Sequence, residues 1–176
     1  GAMPLEIKKE LYASGKVKLE RSCLNGHPEG VSKLYYESGQ LWKEEIFKGG
    51  HLEGLSKWYY ESGKIGEERS YKKGLAEGAS KWYFESGQIR KEGNYKQGLP
   101  EGVIKWYFED GKLWKEEPFK NGRLEGTFKH YYPSGKIWKE ESYKNGELDG
   151  TTRGYKEDGS LAVEMVFRDG EPVEKK

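Results

Sequence analysis

The sequence predicts an all-β fold in which tandem 24-residue β-hairpin repeats build an elongated, twisted, mostly single-layered antiparallel sheet. Its first support is a fixed period: Gly15, Gly39, Gly63, Gly87, Gly111, Gly135 and Gly159 recur every 24 residues, with a second glycine eleven positions on and a third at fifteen. Such a period means stacked units that bury their apolar faces against one another. Its second support is punctuation. Two runs rich in aromatic and branched residues flank Glu-Ser-Gly, Glu-Asp-Gly or Pro-Ser-Gly, and Asn-Gly or a similar pair closes the second run, which reads as strand, tight turn, strand, turn. Finally, no 3.6-residue apolar period is present and glycine is too frequent for helices.

Residues 101–124 illustrate the elements in order. Alternate residues of a strand share a face, so Trp106 and Phe108 lie on one side of the first strand and Lys105 and Tyr107 on the other. At the first turn, Pro133 fixes a negative φ suited to a type I turn, and the glycine that follows supplies a left-handed bulge residue. A two-residue Ser-Gly turn competes. It would set Lys33, Lys57, Lys81, Lys105, Lys129 and Arg153 opposite Glu44, Glu68, Glu92, Glu116, Glu140 and Glu164, a favourable cross-strand pairing. The two devices disagree about register, and proline geometry, the harder constraint, favours the bulged turn. With strands about 4.8 Å apart, each repeat adds roughly 10 Å and the array spans about 65 to 70 Å, with a right-handed twist. Atypical residues near Gly15 and Gly159, and Glu174 in the slot of the third glycine, mark capping repeats.

Gly1-Ala2-Met3 looks like an expression scar, and residues 4–176 read as one repeat domain of about seven hairpin units. The chain is 35% charged and 34% hydrophobic, polar for a compact globule but suited to the thin core of a solenoid. Thirteen tyrosines and six tryptophans argue for order. Lys plus Arg number 31 against 30 Asp plus Glu, so no long-range field draws in nucleic acid or anionic membrane. No apolar run approaches the roughly 18 residues of a membrane-spanning helix. Cys23, the only cysteine, sits where later repeats carry Phe or Tyr and reads as core filler.

The order from Gly54 through Trp58, Tyr59, Gly63, Ile65, Glu68 and Tyr71 to Gly74 resembles the MORN repeat, and more closely the variant found in bacterial proteins, including the YwqK-type antitoxin family. The resemblance extends from about Leu11 to Gly170; the standard Tyr-x-Gly-x-Trp core is not written in that form here. It implies hairpin repeats in an elongated sheet used for protein contacts or, in some members, for association with phospholipid. Enzymatic relatives carry their activity on a separate catalytic domain.

Repetition also bears on chemistry, because catalysis needs one unique constellation and an array offers each group many times. His27 and His51 share a slot one repeat apart, roughly 10 Å, too far to hold one zinc ion. No catalytic, cofactor-binding or metal-binding residues are expected, and the chain reads as not an enzyme. Trp58, Trp82 and Trp106, with Trp42, Trp114 and Trp138 on the second strand, are the candidate protein-binding residues, since a single-layered sheet leaves rings partly exposed and Trp is enriched at interface hot spots. Packing along the stack as the thin core is the competing role.

Lys33, Lys57, Lys81, Lys105 and Lys129 are candidates for an anionic partner, with the regular glutamates standing against them. The expected function is a non-enzymatic protein-protein interaction scaffold, with an antitoxin or immunity-like binder as its narrower form. The alternative is a peripheral membrane or surface module binding anionic phospholipid headgroups through those lysines. A protein partner is expected, phospholipid is second, nucleic acid is not expected, and an incompletely capped edge would pair with a second copy as a homodimer.

Overall fold

The computed structural model describes residues 4–174 and is all-β, built from antiparallel hairpins in tandem. The proposed scar at residues 1–3 lies outside the described residues. The chain divides into two compact units, one running to Gly87 and taking in Lys96–Gly98, the other taking Gln88–Tyr95 and everything from Leu99. The first holds β1 (Glu6–Leu11), β2 (Val17–Leu24), β3 (His27–Tyr35), β4 (Leu41–Lys48), β5 (His51–Leu52), β6 (Gly54–Tyr59), β7 (Ile65–Lys72) and β8 (Leu75–Tyr83). The second holds β9 (Ile89–Lys96, without its last residue), β10 (Leu99–Tyr107), β11 (Leu113–Lys120), β12 (Arg123–Leu124), β13 (Gly126–Tyr131), β14 (Ile137–Lys144), β15 (Glu147–Leu148), β16 (Gly150–Tyr155), β17 (Leu161–Arg168) and β18 (Glu171–Pro172). Within each unit strands pair with their sequence neighbours into one antiparallel layer.

Both devices that compete in the sequence are present at the first turn. The Gly39 N–H donates to the Tyr36 carbonyl at 2.9 Å, the Tyr36 N–H donates to Gln40 at 2.8 Å, and Gly39 has φ 95°. This is a type I turn with a glycine bulge. Yet Lys33 lies opposite Glu44, the register of the tighter turn, because a second bulge falls between Leu34 and Tyr35 and leaves Trp42 as the extra residue on its strand. Taking the two registers as exclusive was the error. The shift recurs at Trp58/Tyr59, Trp106/Tyr107, His130/Tyr131 and Gly154/Tyr155, and it reconciles turn geometry with charge pairing.

The second turn is a two-residue loop with positive φ at both residues, such as Asn121 (51°) and Gly122 (79°), which defines the type I′ hairpin. Lys73 and Gln97 hold φ of 51° and 50° in the asparagine slot, where a side chain costs energy. Each is restrained by a carboxylate from the preceding repeat: the Lys73 N–H donates to Glu53 and the Gln97 N–H to Glu77, both at 2.7 Å. Glu29, Glu101 and Glu125 hold Gly49, Asn121 and Asn145 in the same manner.

Tyrosines add a second tie between repeats. The hydroxyls of Tyr12, Tyr36 and Tyr60 donate to the carbonyls of Tyr35, Tyr59 and Tyr83, each at 2.6 Å, and Tyr132 does the same to Tyr155 at 2.5 Å. Such bonds matter because the core is thin. Among the described residues only Leu19, Ala76, Ile104, Ser32 and Ser80, with the glycines Gly66 and Gly154, are buried, and Cys23 is half-buried rather than core. The strand β1 is exposed along its whole length, and β17 leaves only Phe167 half-covered.

Candidate functional site

In each unit the tryptophans gather on one face and the lysine ladder on the other, since Trp58 follows Lys57 and Trp106 follows Lys105 on the same strand. Trp58, Trp82 and Trp106 are half-buried. The second-strand bulge turns its extra residue onto the tryptophan face. Trp114 therefore meets Trp106 edge-on at 6.0 Å and Phe108 at 6.0 Å. Likewise Trp138 meets His130 at 5.8 Å and Tyr132 at 6.1 Å, and Trp42 meets Tyr36 at 5.8 Å. Trp114 and Trp138 remain 39% and 44% exposed.

Where that bulge residue is glycine, the neighbouring ring moves in. A Cβ on Gly66 would come within 1.9 Å of the Trp58 ring, so the indole lies directly over the backbone and packs edge-on against Tyr60 at 4.7 Å. The missing side chain decides which rings are seated and which stand out.

Cations accompany the rings. Lys43 lies 4.4 Å from the Trp42 ring, Arg69 5.1 Å from Trp82, Lys91 4.5 Å from Trp106, and Lys139 5.6 Å from Trp138. Lys115 lies 4.7 Å from Trp106 and 4.4 Å from Trp114. These contacts are attractive because the ring faces are electron-rich. Sequence reasoning passed over these lysines, although the Trp-Lys pairs at 42–43, 114–115 and 138–139 were a readable signal. It also passed over the glutamates that hold the second turn, whose signal is an acidic residue before each third glycine.

Carboxylates on the tryptophan face serve the rings. Glu117 accepts the Trp106 indole N–H, and Glu141 accepts from His130 Nε2 at 2.9 Å and pairs with Lys139 at 3.7 Å. His130 stacks on Phe128 with centroids 4.2 Å apart; desolvation lowers its pKa, opposed by the Glu141 hydrogen bond.

On the opposite face each lysine has a glutamate directly across the ladder. Lys33 lies between Glu20 and Glu44, Lys57 between Glu44 and Glu68, and Lys129 between Glu116 and Glu140, while Lys81 faces Glu68 and Lys105 faces Glu116. The same glutamates accept tyrosine hydroxyls, Tyr107 to Glu92 at 2.7 Å and Tyr131 to Glu116 at 2.5 Å. Desolvation, and then the hydrogen bond to Glu92, pushes the Tyr107 phenol up to about 12; Tyr131 is raised for the same reasons through Glu116. Among the described residues, no three His, Cys, Asp or Glu side chains gather as metal ligands, and no helix is long and apolar enough to cross a membrane.

Fold and site thus define a tandem β-hairpin repeat protein in each of whose units one face is aromatic and cationic and the other is a ladder of paired lysines and glutamates. The chain belongs to the MORN repeat variant family, which matches residues 28–48, 52–73, 76–97, 100–121 and 124–145, more than half of its length. Repeats of this family generally serve as modules that bind proteins or membranes. No curated protein matches the chain significantly.

Proposed function

We propose that this protein is a non-enzymatic scaffold that binds a protein partner through the tryptophan face. The observation that carries the reading is the pair Trp114 and Trp138, standing 39% and 44% exposed in the same slot of consecutive repeats. Large rings held by the backbone offer contact area at little entropic cost. The glutamates flanking Lys33, Lys57 and Lys129 support a protein partner over anionic headgroups, because a compensated ladder presents little net charge. A narrower form, a binder that neutralises a toxin, rests on the resemblance to the YwqK-type antitoxin family.

The test is affinity capture from the source cell with the wild type and with a Trp114→Ser, Trp138→Ser variant whose circular dichroism is unchanged. A specific partner is expected with the wild type and lost with the variant. Equal recovery by both would sink the reading. Salt-sensitive sedimentation with anionic liposomes, lost in a Lys105→Gln, Lys129→Gln variant, would revive the headgroup alternative.

A further inference from the structure

Lys115 combines two features on the tryptophan face of the second unit. It lies opposite Trp106 in the β10 and β11 ladder. Its ammonium sits 4.7 Å from the Trp106 ring and 4.4 Å from the Trp114 ring, which are edge-on to one another at 83°. Two indoles restrain the charge without neutralising it, since a ring face attracts a cation but takes none of its formal charge.

Among the described residues no carboxylate pairs with Lys115. Its neighbours Glu116 and Glu117 are engaged by the Tyr131 hydroxyl and the Trp106 indole. Lys139 occupies the same slot one repeat on, but its ammonium is shared with Glu141 at 3.7 Å. A positioned cation beside an exposed ring is therefore left without a direct ion-pair partner among the described residues.

We infer that this face binds an extended acidic segment of a partner protein, with a carboxylate on Lys115 and apolar side chains on Trp114 and Trp138. The inference rests on the protein-interaction reading above. Spacing supports an extended segment. One repeat is about 10 Å, and a chain in the polyproline II conformation turns once in three residues while advancing about 9 Å, so apolar anchors at every third position lie on one side and meet successive tryptophans. Charge supports an acidic one. Lys115 and Lys139 both stand beside the exposed tryptophans of this face; Lys139 pairs with Glu141, and among the described residues Lys115 has no such ion pair. A basic segment would meet these ammonium groups as like charge, whereas a carboxylate supplies the missing anion.

The full chain is titrated with a synthetic peptide of repeated Leu-Asp-Ser triplets and with its Asn-substituted counterpart, by calorimetry and by the indole N–H resonances. The Asp peptide is expected to bind and to shift the Trp114 and Trp138 resonances. The Asn peptide, and the Lys115→Gln variant with the Asp peptide, should each bind at least about tenfold more weakly, and Lys115→Arg should retain binding. Equal affinity for both peptides, unchanged affinity in Lys115→Gln, or no binding of the Asp peptide would overturn the acidic segment. The wider reading stands or falls separately, on capture of a partner that depends on Trp114 and Trp138.

Discussion

The centre of the first unit and the centre of the second fill one slot of the same backbone in opposite ways. In the first, the innermost position of the strand is Ser32, Ser56 or Ser80, and arginines cross to it: Arg21 Nε donates to Ser32 at 2.9 Å and Arg69 Nε to Ser80 at 3.2 Å. In the second, that position is Ile104 or Phe128. Ile104 lies over Gly93, where a Cβ would come within 2.8 Å, and Phe128 stacks on His130. The same repeat backbone therefore tolerates a hydrogen-bonded centre or an apolar one, because a single layer needs each slot filled and satisfied rather than uniformly greasy.

Substitutions that break this contrast should differ in size. Ile104 is 3% exposed, and Ile104→Ala should cost about 3 kcal/mol in denaturant unfolding through the cavity it leaves. Gly66→Ala should cost about 2 kcal/mol by forcing Trp58 off the backbone, visible as a change in tryptophan fluorescence. An unchanged spectrum and midpoint would mean that the ring is not seated there. Ser80→Ala removes the acceptor for Arg69 and should cost about 1 kcal/mol, with faster amide exchange confined to the strands around it. In the second unit Thr152 buries an Oγ1 that has no hydrogen-bond partner among the described residues, so Thr152→Val should stabilise by up to about 1 kcal/mol.

The smallest effect is acid-dependent. Burial lowers the His130 pKa below its ordinary 6.5, so the folded state favours the neutral ring. That stability is complete above 6.5 and is lost as pH falls through the lowered folded value. His130→Trp, which restores the residue found at Trp58, Trp82 and Trp106, should remove this part of the acid-side slope in a pH series of unfolding midpoints.

The period and both turns were legible in the sequence because each depends on local chemistry repeated in phase; the lysine-glutamate pairing was legible only as the competing register, which the proline argument set aside. The bulge at Trp42, Trp114 and Trp138 was not. It arises only when turn geometry and cross-strand charge are satisfied together, and neither alone requires it. The glutamates at 29, 53, 77, 101 and 125 were missed because their partner is a backbone amide twenty residues on, which carries no side-chain signature. Which rings stand exposed was also hidden, since Trp58 is seated by what Gly66 lacks.

Within each unit two kinds of tie run from an earlier side chain to a later backbone group. A carboxylate holds a turn twenty residues later, and a tyrosine hydroxyl reaches a carbonyl twenty-three residues later. A finished hairpin thus presents the template on which its successor closes, as a chain emerging from the ribosome would require. Growth has a direction. Removing hairpins from the carboxyl end leaves every remaining second turn with its carboxylate and frees only a tyrosine hydroxyl, whereas removing them from the amino end strips the next second turn of the carboxylate that shaped it.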